Sequence, residues 1–126
     1  MTDRNREHIL WEYELFVRNM ADAKKKMNGI TESIMRSCSE LIKEDDDNSC
    51  QCRKNDYEYY TNVSSVLFNL RGYERDFNYE LAEYNKYSHS RHSIRFIVKD
   101  FARESGGDWG DLLDEFNRID FNYGVE

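Results

Sequence analysis

The sequence predicts an all-α protein, in which a long antiparallel helical hairpin with coiled-coil-like spacing carries two shorter C-terminal helices as a three- to four-helix bundle. Three observations lead to this fold class. The 126 residues contain no proline, the residue that most strongly interrupts helices. Apolar residues recur at alternating intervals of three and four through most of the first 87 positions. Shorter stretches with helical spacing then follow, separated by a serine- and glycine-containing stop.

The first helix is predicted over residues 4–44, with Thr2 or Asp3 as its N-cap. Its apolar face keeps one register with a single polar interruption: Ile9, Tyr13, Phe16, Met20, Ala23, Met27, Ile30, Ile34, Ser37 and Leu41. A repeat of this kind predicts a left-handed supercoil with a partner helix. The register continues across Asn28-Gly29, so this turn-prone dipeptide predicts a bend and not a break.

The second helix is predicted over residues 56–87, after a loop at 45–55 that is rich in turn-forming residues. Its apolar face is predicted with one acidic member: Tyr60, Val63, Leu67, Leu70, Glu74, Phe77, Leu81 and Tyr84. Two long helices joined by a short loop pack antiparallel, here about a centre near residue 49 or 50. On this face Glu74 is the candidate buried acid.

The C-terminal part is predicted as two shorter helices after a turn at residues 88–90. The first covers residues 91–104 and ends at the Ser-Gly-Gly of 105–107. The second begins at Asp108, which can cap it, and the tail at 121–126 reads as irregular.

The domain prediction is one helical domain over residues 1–126. The hairpin forms its part at 1–88, and the C-terminal helices and acidic tail form the part at 89–126. Apolar residues beyond the two predicted faces widen the apolar surface of each helix. Another element must therefore pack against the hairpin and bury this surface. The C-terminal helices can supply that cover, and a second copy of the chain is the alternative.

Neither a catalytic motif nor a metal site is predicted, so we expect no enzyme and no cofactor. Cys50 and Cys52 have one residue between them, whereas paired zinc ligands are two to four residues apart. Three histidines (His8, His89 and His92) could meet at one end of the hairpin as a metal site, but solvated histidines are the simpler interpretation.

The charge is acidic and unevenly placed. The net charge is −7, and residues 101–126 hold seven acidic side chains against two basic ones. A phosphate backbone would be repelled by this field, so direct nucleic-acid binding is not expected, whereas a basic protein surface would be attracted. No apolar run approaches the ~20 residues of a membrane span, and no signal-peptide core follows the first residues. The expected location is the cytoplasm, that of the host if the chain is phage-encoded.

The candidate partner-binding surface lies on the last predicted helix, where apolar anchors recur at the spacing of helix-in-groove recognition. We predict contacts from its acidic and aromatic residues: Asp108, Trp109, Asp111, Asp114, Glu115, Phe116 and Asp120. Secondary candidates flank the loop of the hairpin: Glu44, Asp45, Asp46, Asp47, Tyr57, Tyr59 and Tyr60. The alternative is that the apolar anchors of the last helix cover the hairpin.

These features indicate a non-enzymatic protein-binding protein. Small, acidic, aromatic-rich helical chains without motifs are typical of the accessory inhibitors that phages and mobile elements encode. An inhibitor of anti-CRISPR or anti-restriction type would occupy a basic, nucleic-acid-binding surface of its target. The alternatives are a structural homodimeric coiled-coil adaptor, or a small metal- or ligand-binding protein that uses the histidine end.

Overall fold

A computed structural model describes residues 2–48, 56–105 and 107–125, with side chains at 2–43, 58–105 and 107–125. Within these residues the chain forms three helices and no strand, which confirms the all-α prediction: α1 is Asp3–Asn48, α2 is Asp56–Ser105 and α3 is Asp108–Asn122.

Helix α1 follows the prediction closely and extends beyond it. Thr2 caps its start, because the Thr2 hydroxyl oxygen accepts a hydrogen bond from the Asn5 backbone N–H at 3.2 Å. The helix continues through Asn48, so its last turn occupies residues that the sequence assigns to a loop. Every residue of the predicted apolar face, from Ile9 to Leu41, is buried or half-buried. The register of α1 is therefore confirmed.

Helix α2 is longer than predicted, because no turn interrupts it at residues 88–90. This segment contains neither glycine nor proline, and its serines are compatible with a helix. Ser90 donates its hydroxyl hydrogen to the Lys86 carbonyl oxygen at 3.2 Å, a bond that a serine makes within a helix. The predicted separate helix at 91–104 is consequently the end of α2, and the four-helix version of the prediction is wrong.

The inward face of α2 differs from the predicted one at every second position. Val63, Leu70, Phe77 and Tyr84 are half-buried, as predicted. The predicted residues between them are exposed: Tyr60, Leu67, Glu74 and Leu81. The half-buried residues are instead their preceding neighbours: Tyr59, Val66, Tyr73 and Glu80. Glu74 is therefore not a buried acid. Intervals of three and four fit both choices, because apolar residues such as Val66 and Leu67 stand side by side.

The contacts divide the chain into two compact units, and each is described by itself. Unit 1 comprises Met1–Lys25 and Leu81–Glu126, and unit 2 comprises Lys26–Glu80. The single helical domain over residues 1–126 stays a prediction.

Unit 1 contains the core, formed by Tyr13, Val17, Val98, Leu112 and Phe116. The rings of Phe16 and Tyr87 meet with centroids 6.4 Å apart, and Tyr13 contacts Arg91 at 3.1 Å. As the residue number increases along α1, the number of the contacting residue on α2 decreases. The two helices are therefore antiparallel in this unit. A hairpin centred on residue 49 or 50 would instead bring Tyr13 level with Lys86, so the real pairing is offset by about one turn.

Unit 2 has no fully buried apolar side chain among the residues whose side chains are described, and Ser37 is its one buried residue in that set. One groove of about 400 Å³ is lined by residues from the start of its α1 part and from the end of its α2 part: Lys26, Gly29, Ile30, Ser33, Tyr73, Asp76, Tyr79 and Glu80. This pairing is that of antiparallel helices. A β-carbon on Gly29 or Gly72 would meet nothing within 4 Å, so no other described element packs closely against either glycine.

Candidate functional site

Glycines bound helix α3 at both ends. Gly107 precedes it with a φ of 51°, and Gly124 follows it with a φ of 69°, both in the region that side chains disfavour. At the C-terminal end the Val125 N–H donates to the Asp120 carbonyl oxygen at 2.8 Å, and Val125 packs against the core. This is the pattern of a Schellman motif, which satisfies the last carbonyls of a helix. The helix is therefore fixed in position up to its last turn.

The apolar face of α3 covers α1 and α2. Leu112 and Phe116 have no exposed surface, and the Phe116 ring stacks on that of Tyr13 with centroids 3.9 Å apart. Trp109 is half-buried and stacks on Phe101 at 4.8 Å. Of the two interpretations of these anchors, the structure favours the one in which they cover the hairpin. Phe116 is thus wrong as a partner contact, because its side chain is enclosed by the chain itself.

Asp120 is also wrong as a partner contact, because it is 6% exposed and bound within the protein. Arg91 donates to both carboxylate oxygens, with Nη2 2.7 Å from Oδ2 and Nε 3.2 Å from Oδ1. Arg95 Nη1 lies 3.1 Å from Oδ2, and the Tyr13 hydroxyl donates to Oδ1 at 2.6 Å. We call these four side chains the buried polar network.

The buried polar network joins all three helices. Tyr13 belongs to α1, Arg91 and Arg95 to α2, and Asp120 to α3. The Tyr13 oxygen accepts hydrogen bonds from Arg91 Nε at 3.1 Å and from Arg95 Nη1 at 2.9 Å. In the described part of the chain every fully buried side-chain nitrogen or oxygen has a hydrogen-bond partner, so the network is complete. Its geometry specifies how α3 lies on α1 and α2.

The protonation of the network follows from its burial. Burial raises the pKa of the Tyr13 phenol above its ordinary value of 10.0, the bond to Asp120 adds to this, and the two arginines oppose it. Burial alone lowers the pKa of Arg91, but its hydrogen bonds to Asp120 and Tyr13 outweigh that effect and raise it. At neutral pH the network thus holds a neutral phenol and a charged guanidinium in direct contact with Asp120.

The outer face of α3 is largely exposed. Asp108, Asp111 and Asp114 are exposed, and half-buried Glu115 accepts a 2.8 Å ion-pair contact from Arg118. Phe121 is 85% exposed, the highest value among the large apolar side chains of the described residues. We define the acidic face as Asp108, Asp111, Asp114, Glu115 and Phe121.

The sequence predicts an irregular tail from residue 121, whereas Phe121 belongs to the last turn of α3. A signal for it exists, because Phe121 follows Asp114 by seven residues. Positions seven apart lie on the same side of a helix, so the aromatic ring shares its side with a carboxylate.

The secondary candidates lie around the end of α1 and the start of α2. Residues 44–47 belong to α1, but their side chains and that of Tyr57 are outside the described set. Tyr59 is half-buried, Tyr60 is 59% exposed, and their rings meet edge-on with centroids 5.3 Å apart. This tyrosine pair remains a candidate contact.

The histidines do not form a metal site within the described residues, which contain no group of three potential ligands. His8 lies 3.8 Å from the Glu12 carboxylate and stacks on Trp11, and both His89 and His92 are exposed on α2. Cys38 is an exposed free thiol, whereas Cys50 and Cys52 lie outside the described residues.

No family model, curated protein or solved structure matches the chain. Among the described helices, none combines the length and the apolar character that crossing a membrane requires.

Proposed function

We propose that the chain is a non-enzymatic protein-binding protein that inhibits its target by occupying a basic, nucleic-acid-binding surface. It would then act as an anti-CRISPR or anti-restriction type of inhibitor. The observation that supports this proposal most is the two-sidedness of α3. Its inner side is locked to α1 and α2 through Phe116 and Asp120, and its outer side presents carboxylates beside the exposed Phe121 ring.

The architecture we propose gives this face a rigid support. In it α1 and α2 pack with coiled-coil-like spacing, and α3 completes a three-helix bundle around Tyr13. A rigid face loses little conformational entropy on binding, so more of its contact free energy contributes to affinity.

The charge density of the acidic face suits a phosphate-binding surface. Residues 108 to 115 span about 10 Å along α3 at ~1.5 Å per residue and carry four carboxylates. Duplex DNA carries one charge per ~1.7 Å, or about six over the same length. The acidic face is therefore a shorter and weaker mimic of a phosphate backbone. Such a field acts mainly on the rate of association with a basic surface.

Phe121 supplies what charge alone cannot. Exposed carboxylates contribute modestly to affinity because water and salt screen them. An aromatic side chain that becomes buried at the centre of an interface is a common source of large binding free energy. We therefore propose that the carboxylates steer the partner and that Phe121 slows its dissociation.

The test compares two variants with the same loss of charge. One carries Asp108→Asn, Asp111→Asn, Asp114→Asn and Glu115→Gln. The matched control carries amides at four exposed acids elsewhere: Asp22→Asn, Glu32→Gln, Glu40→Gln and Glu74→Gln. Each protein is immobilised and exposed to host lysate, and captured proteins are quantified by mass spectrometry. The captured protein is then purified for binding kinetics with and without its nucleic acid.

The proposal expects wild type and control to capture the same nucleic-acid-binding protein, with nucleic acid competing for it. The association rate constant of the acidic-face variant should be lower by about tenfold or more at low salt. Equal capture by all three proteins would show that the acidic face is not the binding surface. Capture of a target that nucleic acid does not compete for would reject the inhibitory mechanism.

A further inference from the structure

Unit 2 leaves its apolar side chains incompletely covered. Of the residues in it whose side chains are described, no apolar one is fully buried, whereas unit 1 encloses Tyr13, Val17, Leu112 and Phe116. The difference has a physical cause, since unit 1 contains α3, whereas the described part of unit 2 consists of two helical segments. Two helices leave the flanks of their apolar stripes open to water.

One flank of unit 2 carries a set of large exposed apolar residues. Met35 is 65% exposed, Ile42 62%, Tyr60 59% and Leu67 47%. We call these four residues the apolar strip. Each directly follows an inward-facing residue along its helix: Ile34, Leu41, Tyr59 and Val66.

Positions that directly follow inward residues lie on the same side of two antiparallel helices. Unit 1 demonstrates this rule, because Val17 of α1 packs in the core with Leu112 and Phe116 of α3. Arg95 of α2 donates a hydrogen bond to Asn117 of α3 at 2.8 Å. The corresponding residues of unit 2 therefore lie on one flank of its two helical segments.

We propose that the apolar strip is a homodimer interface whose occupant is the same strip of a second copy of this chain. None of the four residues is charged, and the charged residues that also follow inward positions on this flank, Arg71 and Glu74, lie beyond Leu67 along α2. A two-fold axis lets one surface cover itself, which closes both strips at once. The paired unit 2 hairpins would then form a four-helix arrangement, in which the half-buried inward residues gain cover.

The size of the strip agrees with a dimer of moderate affinity. An aromatic side chain carries about 150–250 Å² and an aliphatic one less, so the four exposed fractions amount to at most roughly 350–580 Å² per copy. That is as large as the largest apolar patch on a typical monomer. A standard interface buries about 800 Å² per partner, so neighbouring residues must supply the remainder. We therefore expect association in the micromolar range.

Cys38 provides a chemical probe of this interface. It is exposed, and it lies three residues after Met35 and four before Ile42, between them along the same side of α1. Pairing of two strips should shield its thiol. A Cys50→Ser/Cys52→Ser background leaves Cys38 as the one thiol that can be alkylated.

The experiment is sedimentation of the full chain from about 1 to about 200 µM, a range that brackets a micromolar dissociation constant. One variant carries Ile42→Glu and Leu67→Glu. The control carries Trp11→Glu and Phe96→Glu, two residues of unit 1 that are 61% and 67% exposed. Circular dichroism of each protein reports whether its helices are intact.

Wild type and control should approach twice the 15.2 kDa chain mass, and the strip variant should remain monomeric over the same range. The alkylation rate of Cys38 should fall at least threefold as the concentration rises. That measurement decides the case if the strip variant loses helicity. A wild-type monomer at about 200 µM, a control that dissociates equally, or a Cys38 rate independent of concentration would each overturn the proposal. The result is separate from the test of the acidic face, because the two surfaces share no residue.

Discussion

The hydroxyl of Tyr13 donates a 2.6 Å hydrogen bond to the carboxylate of Asp120, although 107 residues separate them along the chain. One residue lies near the start of α1 and the other near the end of α3. Arg91 contacts both of them from α2. Together with the burial of Leu112 and Phe116, this relationship specifies which side of α3 faces inward, and hence which carboxylates and which aromatic ring face outward.

Removing the carboxylate of the buried polar network should be costly. Asp120→Ala leaves two arginines without their common counter-ion, and breaking a buried ion pair in this way destabilises a protein by about 3–5 kcal/mol. Asp114→Ala is the matched control, because Asp114 is exposed on the same helix and should change stability by about 0.5 kcal/mol or less. Urea unfolding followed by circular dichroism measures both. Equal stability of the two variants would mean that the network does not hold α3.

Alkaline pH should weaken the fold through Tyr13. Its pKa is raised above 10.0 in the folded state, chiefly by burial and then by the bond to Asp120. The folded state therefore favours the neutral phenol. This stabilisation is fully present below the unfolded pKa of about 10 and is lost as the pH rises through the folded pKa.

The Tyr13→Phe variant isolates this effect. Urea midpoints from about pH 8 to pH 11 should fall more steeply for wild type than for the variant, and the late part of the tyrosinate absorbance titration should be smaller in the variant. Tyr123, whose pKa is raised first by its bond to Glu14, acts in the same direction, so Tyr123→Phe is the control. Parallel curves for wild type and Tyr13→Phe would contradict the prediction.

Two phenylalanines of α3 should respond in opposite ways. Phe116→Ala removes a ring with no exposed surface, and a change of this kind costs about 3–5 kcal/mol of unfolding free energy. Phe121→Ala removes a ring that is 85% exposed, and should change stability by about 0.5 kcal/mol or less while accelerating dissociation of the captured partner. Denaturation and binding kinetics on both variants separate the two roles. Unchanged stability of Phe116→Ala would contradict its role in the core. Unchanged binding by Phe121→Ala would contradict its role as the partner contact.

The continuity of α2 can be tested at Ser90. Proline inside a helix removes a backbone hydrogen bond and clashes with the preceding turn, so Ser90→Pro should cost about 3 kcal/mol or more. Ser90→Ala keeps the helix and should leave stability unchanged or slightly higher. Thermal unfolding of the two variants compares them directly. Tolerance of proline would favour the turn that the sequence suggests at residues 88–90.

Helix α1 shows how far periodicity alone can reach. Its apolar face runs from Ile9 to Leu41 in one register, and each member is buried or half-buried in the structure. The pattern suffices here because the residues beside the face are mostly polar. In α2 apolar residues flank the face on both sides, and the contact with α1 decides that Val66 turns inward and Leu67 outward.

The acidic and aromatic residues of α3 could be found from the sequence, but their division between core and surface could not. Apolar residues at intervals of three and four predict one apolar face, and that face is equally suited to the same chain or to a partner. The sequence places Asp120 among other acids. Its spacing of four from Phe116 puts it on the apolar side of α3, unlike Asp114, but nothing local identifies Arg91 and Arg95 as its partners.

What the sequence determined by itself is therefore local: the helical class, the face of α1, and the excess of acid near the C-terminus. These follow from backbone geometry and composition, which neighbouring residues are enough to specify. Only the tertiary structure decided that Phe116 and Asp120 turn inward and that Phe121 stays outside. The reason is that burial depends on contacts between distant residues. Arg91 and Arg95 stabilise a carboxylate 29 and 25 residues away, and no local pattern encodes that encounter.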